Sequence, residues 1–463
     1  MEKAIAMTNR QGMFKNLCLF IAPLMLTGIL QLLYTASDLI ICGMFGPEHS
    51  TGAISETSPL IGLIVNTFLG LAVGVNVLMA RCFGANDQAK GQRVVYTAVA
   101  IAVILGVVVG VFGALCSHYF LTWIKTPADV LALSTQYLAI YFIGVPFTMI
   151  YNFAASILRA MGDTRKPFYF LTISGVINVL LNLLFVIVFD LGVAGVAICT
   201  AISQFCAAAM VILYLMHKQH GFFHFKIREI RIYKRELLEI TKIGLPAGLQ
   251  SFIFSFSNLM IMSSINSLGT AVLDGNGAAS SLESFVYTPI NSCAQGALTF
   301  ASANYGAKNK PNIVRAMLYA MGLMLMVWAV FSGIILLFAS PLLQLYISAS
   351  ASINAAWQRM LVILSTYFLC GVMDIFAYGL RAIGYSTLPT IISAIGVCGF
   401  RLFWVFAIFP IPYFNNLLWL ALSYPISWLL SSLILLTCFI ILFKRLRFKD
   451  EPAAPDEDTA VAA

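Results

Sequence analysis

Charge is what this sequence has least of. Only 10% of its 463 residues are Asp, Glu, Lys or Arg, whereas 60% are apolar. A soluble domain devotes about a quarter of its residues to charge. A chain this poor in charge cannot cover its surface for water, which excludes soluble enzymes and soluble binding modules. With a mean hydropathy of +0.91, the class is a polytopic membrane protein. Paired cysteines are lacking as well. The ten cysteines stand singly with no CxxC and no Cys/His ligand spacing, so neither a metal site nor a disulfide framework is expected. Histidine is scarce: His49, His118, His217, His220 and His224 lie at or beyond the ends of apolar runs. No histidine-rich motif, acid–histidine pair or nucleophile constellation is present, which argues against a polytopic membrane enzyme and against a cofactor. The N-terminal segment carries no A-x-A cleavage signal, so no removed signal peptide is expected and the first span should direct insertion. No basic patch interleaved with aromatic residues points to nucleic acid.

What the sequence does have is long apolar runs. A membrane-crossing helix needs about 20 mostly apolar residues. Twelve such runs are present, near 14–41, 53–80, 94–117, 131–157, 168–189, 193–216, 241–268, 277–302, 313–338, 355–379, 389–410 and 414–443. They are continuously apolar rather than alternating, which favours helices over a barrel. Of the 27 Lys and Arg, all but Lys125, Arg359 and Arg401 are assigned to loops on one side, around Arg81–Arg93, Arg159–Lys166, Lys218–Lys242, Lys308–Arg315 and Arg381, and to the termini. By the positive-inside rule that side, with both termini, is cytoplasmic. The setting expected is a multi-pass protein of the plasma (inner) membrane, acting as a monomer in contact with anionic lipid.

The chain is duplicated. Leu158-Arg159-Ala160-Met161-Gly162, with Pro167 beyond, recurs 222 residues later as Leu380-Arg381-Ala382-Ile383-Gly384 with Pro389. The same offset carries Phe83-Gly84-Ala85 onto Tyr305-Gly306-Ala307 and Gly74 onto Gly296. The fold expected is therefore all-α, with twelve transmembrane helices in two six-helix lobes: residues 1–216, then 241–448. Residues 217–240 form a cytoplasmic inter-lobe loop in which 230–240 reads either as an interfacial amphipathic helix or as a solvated linker. Residues 449–463 read as a disordered acidic tail.

Ionisable groups inside spans are costly and usually face a cavity. Asp38 lies in the first span, Glu283 in the eighth and Asp374 in the tenth; Arg401 lies deep in the eleventh, with Asp374 as its expected counter-charge. Structural pairing is the alternative role for each acid. Asn178 and Asn182, four apart, share a helix face. With Thr200, Gln31 and Tyr34 they could join Asp38 as oxygen ligands for a hard cation, tune its proton affinity, or simply hydrogen-bond between helices. The acids are not repeated: Asp374 answers to Asn152, Glu283 to Ile61, and Asp38 to no acid near 260–261.

These motifs resemble the multidrug and toxic compound extrusion (MATE) family, from Phe14 to about Phe448. The resemblance rests on Pro23…Gln31…Asp38, on Gly70-Leu71-Ala72-Val73-Gly74 leading to Ala80–Ala85, on the Leu-Arg-Ala-x-Gly…Pro pattern once per half, and on Asn178…Asn182. It implies an antiporter that expels cationic or amphipathic molecules in exchange for inward H⁺ or Na⁺, with the lobes alternating access. It implies cation or proton coupling at Asp38, Asn178, Asn182 and Thr200. It also implies substrate contacts from Gln31, Tyr34 and Tyr137, with Asn152, Glu283 and Asp374 as further candidates. Some relatives carry a second acid where this chain has Asn182. The nearest rival is a lipid-linked precursor flippase of the same superfamily, which would line its cavity with basic groups. The interior balance of Asp38, Glu283 and Asp374 against Arg401 favours small organic cations instead.

Overall fold

The computed structural model describes residues 7, 12–47, 50–124, 126–217, 222–223 and 225–448. The acidic tail, Glu48, His49, Lys125, His220 and His224 lie outside the described residues. The chain is helical almost throughout. The N-lobe comprises α1 (Met13–Phe45), α2 (Ser50–Gly84), α3 (Gln88–Trp123), α4 (Ala128–Ala160), α5 (Arg165–Val188) and α6 (Gly192–His217). The C-lobe comprises α7 (Lys234–Asn266), α8 (Thr270–Gly306), α9 (Lys310–Leu337), α10 (Ser350–Ala382), α11 (Thr387–Ile408) and α12 (Leu417–Arg445), with a short helical turn, Ala339–Gln344, before α10. Eleven of the twelve are long and apolar enough to cross a membrane. The exception is α8, whose 37 residues include Asn276, Glu283, Asn291, Gln295 and Asn304. A helix that polar at membrane depth belongs against a cavity rather than against lipid.

The duplication is legible in the smallest details. Asn86 and Lys308, 222 apart, both hold positive φ, 54° and 56°. The next residues, Asp87 and Asn309, each cap the following helix by accepting from the backbone N–H three positions on. Gly162 and Gly384 both turn with positive φ after the repeated motif, where a side chain would be strained. Thr164 donates to the Phe20 carbonyl at 2.8 Å, and Ser386 donates to that of Ile243 at 2.6 Å. In both α5 and α11 the last stretch widens into π turns, Leu183–Val188 and Trp404–Ile408.

The lobes meet where backbones can touch. In lipid, apolar surface gains little by pairing with itself, so small residues that permit close approach hold helices together. A Cβ on Gly70 would fall 2.2 Å from the Gly248 backbone, and one on Gly74 would fall 2.3 Å from the Ile240 carbonyl. The crossing of α2 and α8 is two-fold: Gly84 lies on the Ala303 carbonyl and Gly306 on that of Arg81, with Gly84 and Gly306, and likewise Arg81 and Ala303, 222 apart. Arg81 secures that end by donating to the carbonyls of Arg381 (3.2 Å) and Ala382 (2.8 Å), with its guanidinium 4.6 Å from the Tyr305 ring centre. Here one continuous core runs through both lobes, joining Leu17 and Phe20 to Met79, Phe153, Phe300 and Leu380. At the other end each lobe keeps a cluster of its own: Ile41, Cys42, Ile54 and Val196 in one, Ile261, Ile265, Val405 and Leu420 in the other. The lobes are sealed at the basic end and separate at the opposite one.

The inter-lobe segment departs from both sequence readings. No separate amphipathic helix forms over 230–240; the chain is extended to Tyr233, and α7 starts at Lys234 and runs straight on into the span. Nor is the segment merely solvated. Phe222, Phe223 and Phe225 are buried, Tyr96 donates to Glu229 at 2.7 Å, and Lys90–Glu239 and Arg93–Glu236 pair at 2.6 Å each. The Tyr96 hydroxyl, and then Lys226, hold the Glu229 carboxyl below the usual range. Glu229, Glu236 and Glu239 each pair with a residue of α3.

Candidate functional site: a buried carboxylate network and an arginine-lined cavity

The predicted site residues fall into three separate places. The first is inside the N-lobe. Asp38, on α1, is 9% exposed. Asn182 of α5 donates to Asp38 Oδ1 at 2.5 Å and, with the same amide, to Asn178 Oδ1 at 3.3 Å. Thr200 of α6 lies 3.5 Å from Asp38 Oδ2, with its hydroxyl 3.0 Å from the Val196 carbonyl. Three helices thus converge on one carboxylate. The π turn begins directly after Asn182, and such turns re-aim the residues beside them. Asn182 Oδ1 is buried without a partner. Tyr34 stands one turn before Asp38 and ties α1 to α5: its hydroxyl donates to the Leu171 carbonyl at 3.2 Å, and its ring fills the space a Cβ on Gly175 would occupy. Tyr137 is buried in the adjoining apolar cluster, stacked on Tyr141 at 6.2 Å.

The second place lies between the lobes. Gln31 and Asn152 line a cavity of about 240 Å³ with Asn76, Arg159 and Gln295. It abuts a larger cavity of about 570 Å³, lined by Asp374, Asn291, Tyr287, Gln250, Arg381 and Arg401 among others; Leu69, Val73 and Tyr378 belong to both. Asp374 accepts from Tyr287 and Asn291, each at 3.4 Å. Asn152 and Asp374, equivalent in the repeat, line one cavity each, Asn152 the smaller and Asp374 the larger.

The third is in the C-lobe, where Glu283 is gripped by Arg359 through two parallel hydrogen bonds of 2.9 and 2.8 Å, both side chains buried.

Four sequence expectations change. Arg401 does not pair with Asp374; its Nε donates to Ser427 at 3.1 Å and its guanidinium lies 4.0 Å from the Tyr424 ring centre. An aromatic face offers a cation an alternative to a carboxylate. Arg359, left outside the basic loops and given no partner, is the buried counter-ion of Glu283. Arg159 and Arg381, assigned to cytoplasmic loops, close α4 and α10 and line the smaller and the larger cavity respectively. The acidic interior balance does not hold at the chamber, since Glu283 is neutralised and arginines outnumber Asp374 there. The signal that could have found Arg159 and Arg381 was the motif itself: an arginine at the same place in both halves has more to do than set topology.

The MatE family model matches residues 23–184 and 246–406, one match in each half. The chain is 26% identical to the "Probable multidrug resistance protein YoeA" of Bacillus subtilis (strain 168) over 94% of its length and 96% of that protein's. It is 24% identical to the multidrug export protein MepA of Staphylococcus aureus (strain NCTC 8325 / PS 47), covering 83% of this chain and 85% of that one. Among solved structures it superposes at a TM-score of 0.89, with 19% identity and coverage of 96% and 98%, on a MOP-superfamily transporter from Pyrococcus furiosus described as having a binding pocket of reverse polarity. It superposes at 0.85, again with 19% identity, covering 93% and 96%, on an outward-facing multidrug resistance MATE transporter. These likenesses give the two-lobe, twelve-helix fold. With both halves matched, the chain belongs to the MATE family of multi-pass membrane transporters for multidrug efflux, and it is not an enzyme.

Proposed function

We propose that this protein exports small amphipathic molecules, organic cations among them, across the plasma membrane in exchange for inward H⁺, with Asp38 as the coupling carboxylate. The observation that supports this reading most is the network of Asp38, Asn182, Asn178 and Thr200. Both carboxylate oxygens sit near protein donors, and the carboxylate has no basic partner among the described residues. Burying a lone charge is expensive, so Asp38 holds either a proton or a cation. The geometry favours the proton. Thr200 already has the Val196 carbonyl to donate to, so its oxygen is free to accept from a protonated Asp38. Sodium asks for a shell of several oxygens; here Asn182 turns its amide nitrogen, not its oxygen, toward Asp38.

Exchange then follows from competition. A proton entering from outside neutralises Asp38 and weakens its hold on a cationic substrate; a substrate entering from inside displaces the proton. The sealed basic end and the separated lobes at the other end suit an outward-open state of an alternating-access cycle, if the basic end is cytoplasmic as the charge distribution argues.

The test is accumulation of a fluorescent organic cation in cells lacking their own pumps. Cells carrying the protein should accumulate less dye, and cells carrying Asp38→Asn at equal expression should match the empty control. Undiminished efflux by Asp38→Asn would remove Asp38 from the mechanism. The chamber arginines fit the flippase reading as well as export, and what favours export is the unpaired acid Asp38 in the N-lobe; transport of a lipid-linked pyrophosphate by the purified protein would reverse that choice.

A further inference from the structure

One face of α8 carries a polar stripe that the export reading does not use. Tyr287, Asn291 and Gln295 follow one another at intervals of four, which puts them on a single side of the helix. Asn291 lines the larger cavity and Gln295 the smaller. The residues 222 positions earlier, Val65, Leu69 and Val73, are apolar, so the repeated scaffold does not require the stripe.

Hydrogen bonds join the stripe from one cavity to the other. Asp374 Oδ2 accepts from the Tyr287 hydroxyl and from Asn291 Nδ2, each at 3.4 Å. Asn291 Oδ1 in turn accepts from Gln295 Nε2 at 2.8 Å. The direction of this chain follows from the carboxylate. An ionised Asp374 has only acceptors, so Asn291 must turn its nitrogen to it and its oxygen away. Gln295 must then donate to that oxygen, which leaves its own oxygen for the smaller cavity. A proton on Asp374 Oδ2 inverts each step. The new O–H needs an acceptor, and an amide oxygen is a better one than the Tyr287 phenol. Asn291 rotates to offer Oδ1, its nitrogen comes to face Gln295, and Gln295 rotates to accept. The smaller cavity, with Asn152 and Arg159 on its wall, is then offered the Gln295 nitrogen instead of its oxygen.

Asp374 is the group that can drive this. Around it, Arg381 of the same helix and Arg401 of α11 stay cationic, while Cys370 and the tyrosines of α8, α10 and α12 stay neutral near pH 7. The residues that α2 and α7 contribute to this wall are all neutral.

We propose that Asn291 and Gln295 are positioning residues that form a relay, converting the charge on Asp374 in the larger cavity into the hydrogen-bonding polarity of the smaller one. The smaller cavity is offered an acceptor when Asp374 is ionised and donors when it is neutral. A molecule passing between the lobes therefore meets a different partner in each state. The inference goes beyond the export reading, which needs only Asp38.

Infrared difference spectra of the detergent-purified full chain, acidic minus neutral, read the relay directly. They are taken in an Asp38→Asn background, because Asn178 and Asn182 beside Asp38 would add amide signals of their own. A protonated-carboxyl band should appear together with changes in two side-chain amide carbonyl bands, one from Asn291 and one from Gln295. Asn291→Leu should keep the carboxyl band and lose both amide changes, whereas Gln295→Met should lose only one. A Gln295 amide that merely reported a nearby charge would still change in Asn291→Leu. Asp374→Asn should lose the carboxyl band and both amide changes, which keeps the result readable if Asn291→Leu folds poorly. Carboxyl protonation without amide changes, an amide change that survives in Asn291→Leu, or the absence of any carboxyl band that Asp374→Asn removes overturns the inference. With Asp38 already replaced, none of these outcomes depends on the export reading.

Discussion

Asp38 and Glu283 both place an acid in a helix interior, and the sequence treats them alike. Their surroundings do not. Glu283 meets a guanidinium through two short hydrogen bonds and is a closed ion pair; Asp38 meets only amide and hydroxyl donors. The pair costs desolvation to form, but breaking it costs more, because a lone buried Arg359 remains. We therefore expect Glu283→Gln to lower stability by about 3–5 kcal/mol, seen as a lower melting temperature in detergent, with much of the loss recovered in Glu283→Gln/Arg359→Gln. A Glu283→Gln protein of unchanged stability would refute the structural role. Asp38→Asn should behave in the opposite way, with melting temperature preserved and transport lost. Gly175 gives a sharper local test. Because the Tyr34 ring occupies its Cβ position, Gly175→Ala should push α1 from α5 and reduce transport, and Tyr34→Ala in the same background should recover part of it.

At the scale of elements, the crossing of α2 and α8 carries the seal between the lobes. Gly84 and Gly306 each lie on a carbonyl of the other helix, where an added Cβ would sit 1.9 and 2.0 Å from oxygen. Neither contact can relax by turning a side chain. Gly84→Ala should hold the basic end apart, and so should Arg81→Ala, which strips two carbonyl hydrogen bonds. Distances between spin labels placed across the lobes on Asn86 and Lys308 should lengthen in both variants; unchanged distances would show that the seal does not depend on this crossing. The element level was also the most legible in the sequence. Spans of 20 apolar residues fix helices because lipid offers no other partner for the backbone, and a repeat at 222 fixes their division into lobes. Only α8 strains the rule, its polar face being turned to cavities. What composition could not show was partnership. The arginines of the repeated motif looked like topology charges because a helix end and a loop read the same in sequence. The burial of Arg359 beside Glu283 joins residues 76 apart. The fate of the Ile230–Ile240 segment depended on ion pairs to α3 that no local periodicity encodes.

For the whole molecule, the two halves share their scaffold and differ in their chemistry. Capping residues, turns and the glycine crossing are repeated, while Asp38 belongs to the N-lobe alone and the arginine–aromatic chamber belongs chiefly to the C-lobe. Such a division suits a carrier in which the coupling carboxylate belongs to one lobe and further charged and aromatic groups facing the cargo path belong to the other. The central claim is that a proton and the substrate exclude one another at Asp38. It is tested most directly by adding rhodamine 123 to the purified protein in weakly buffered detergent and recording the pH. The account expects a release of protons that saturates with dye binding, approaching one per molecule, that is absent in Asp38→Asn and indifferent to added Na⁺. Dye binding without proton release, or release that persists in Asp38→Asn, would contradict it.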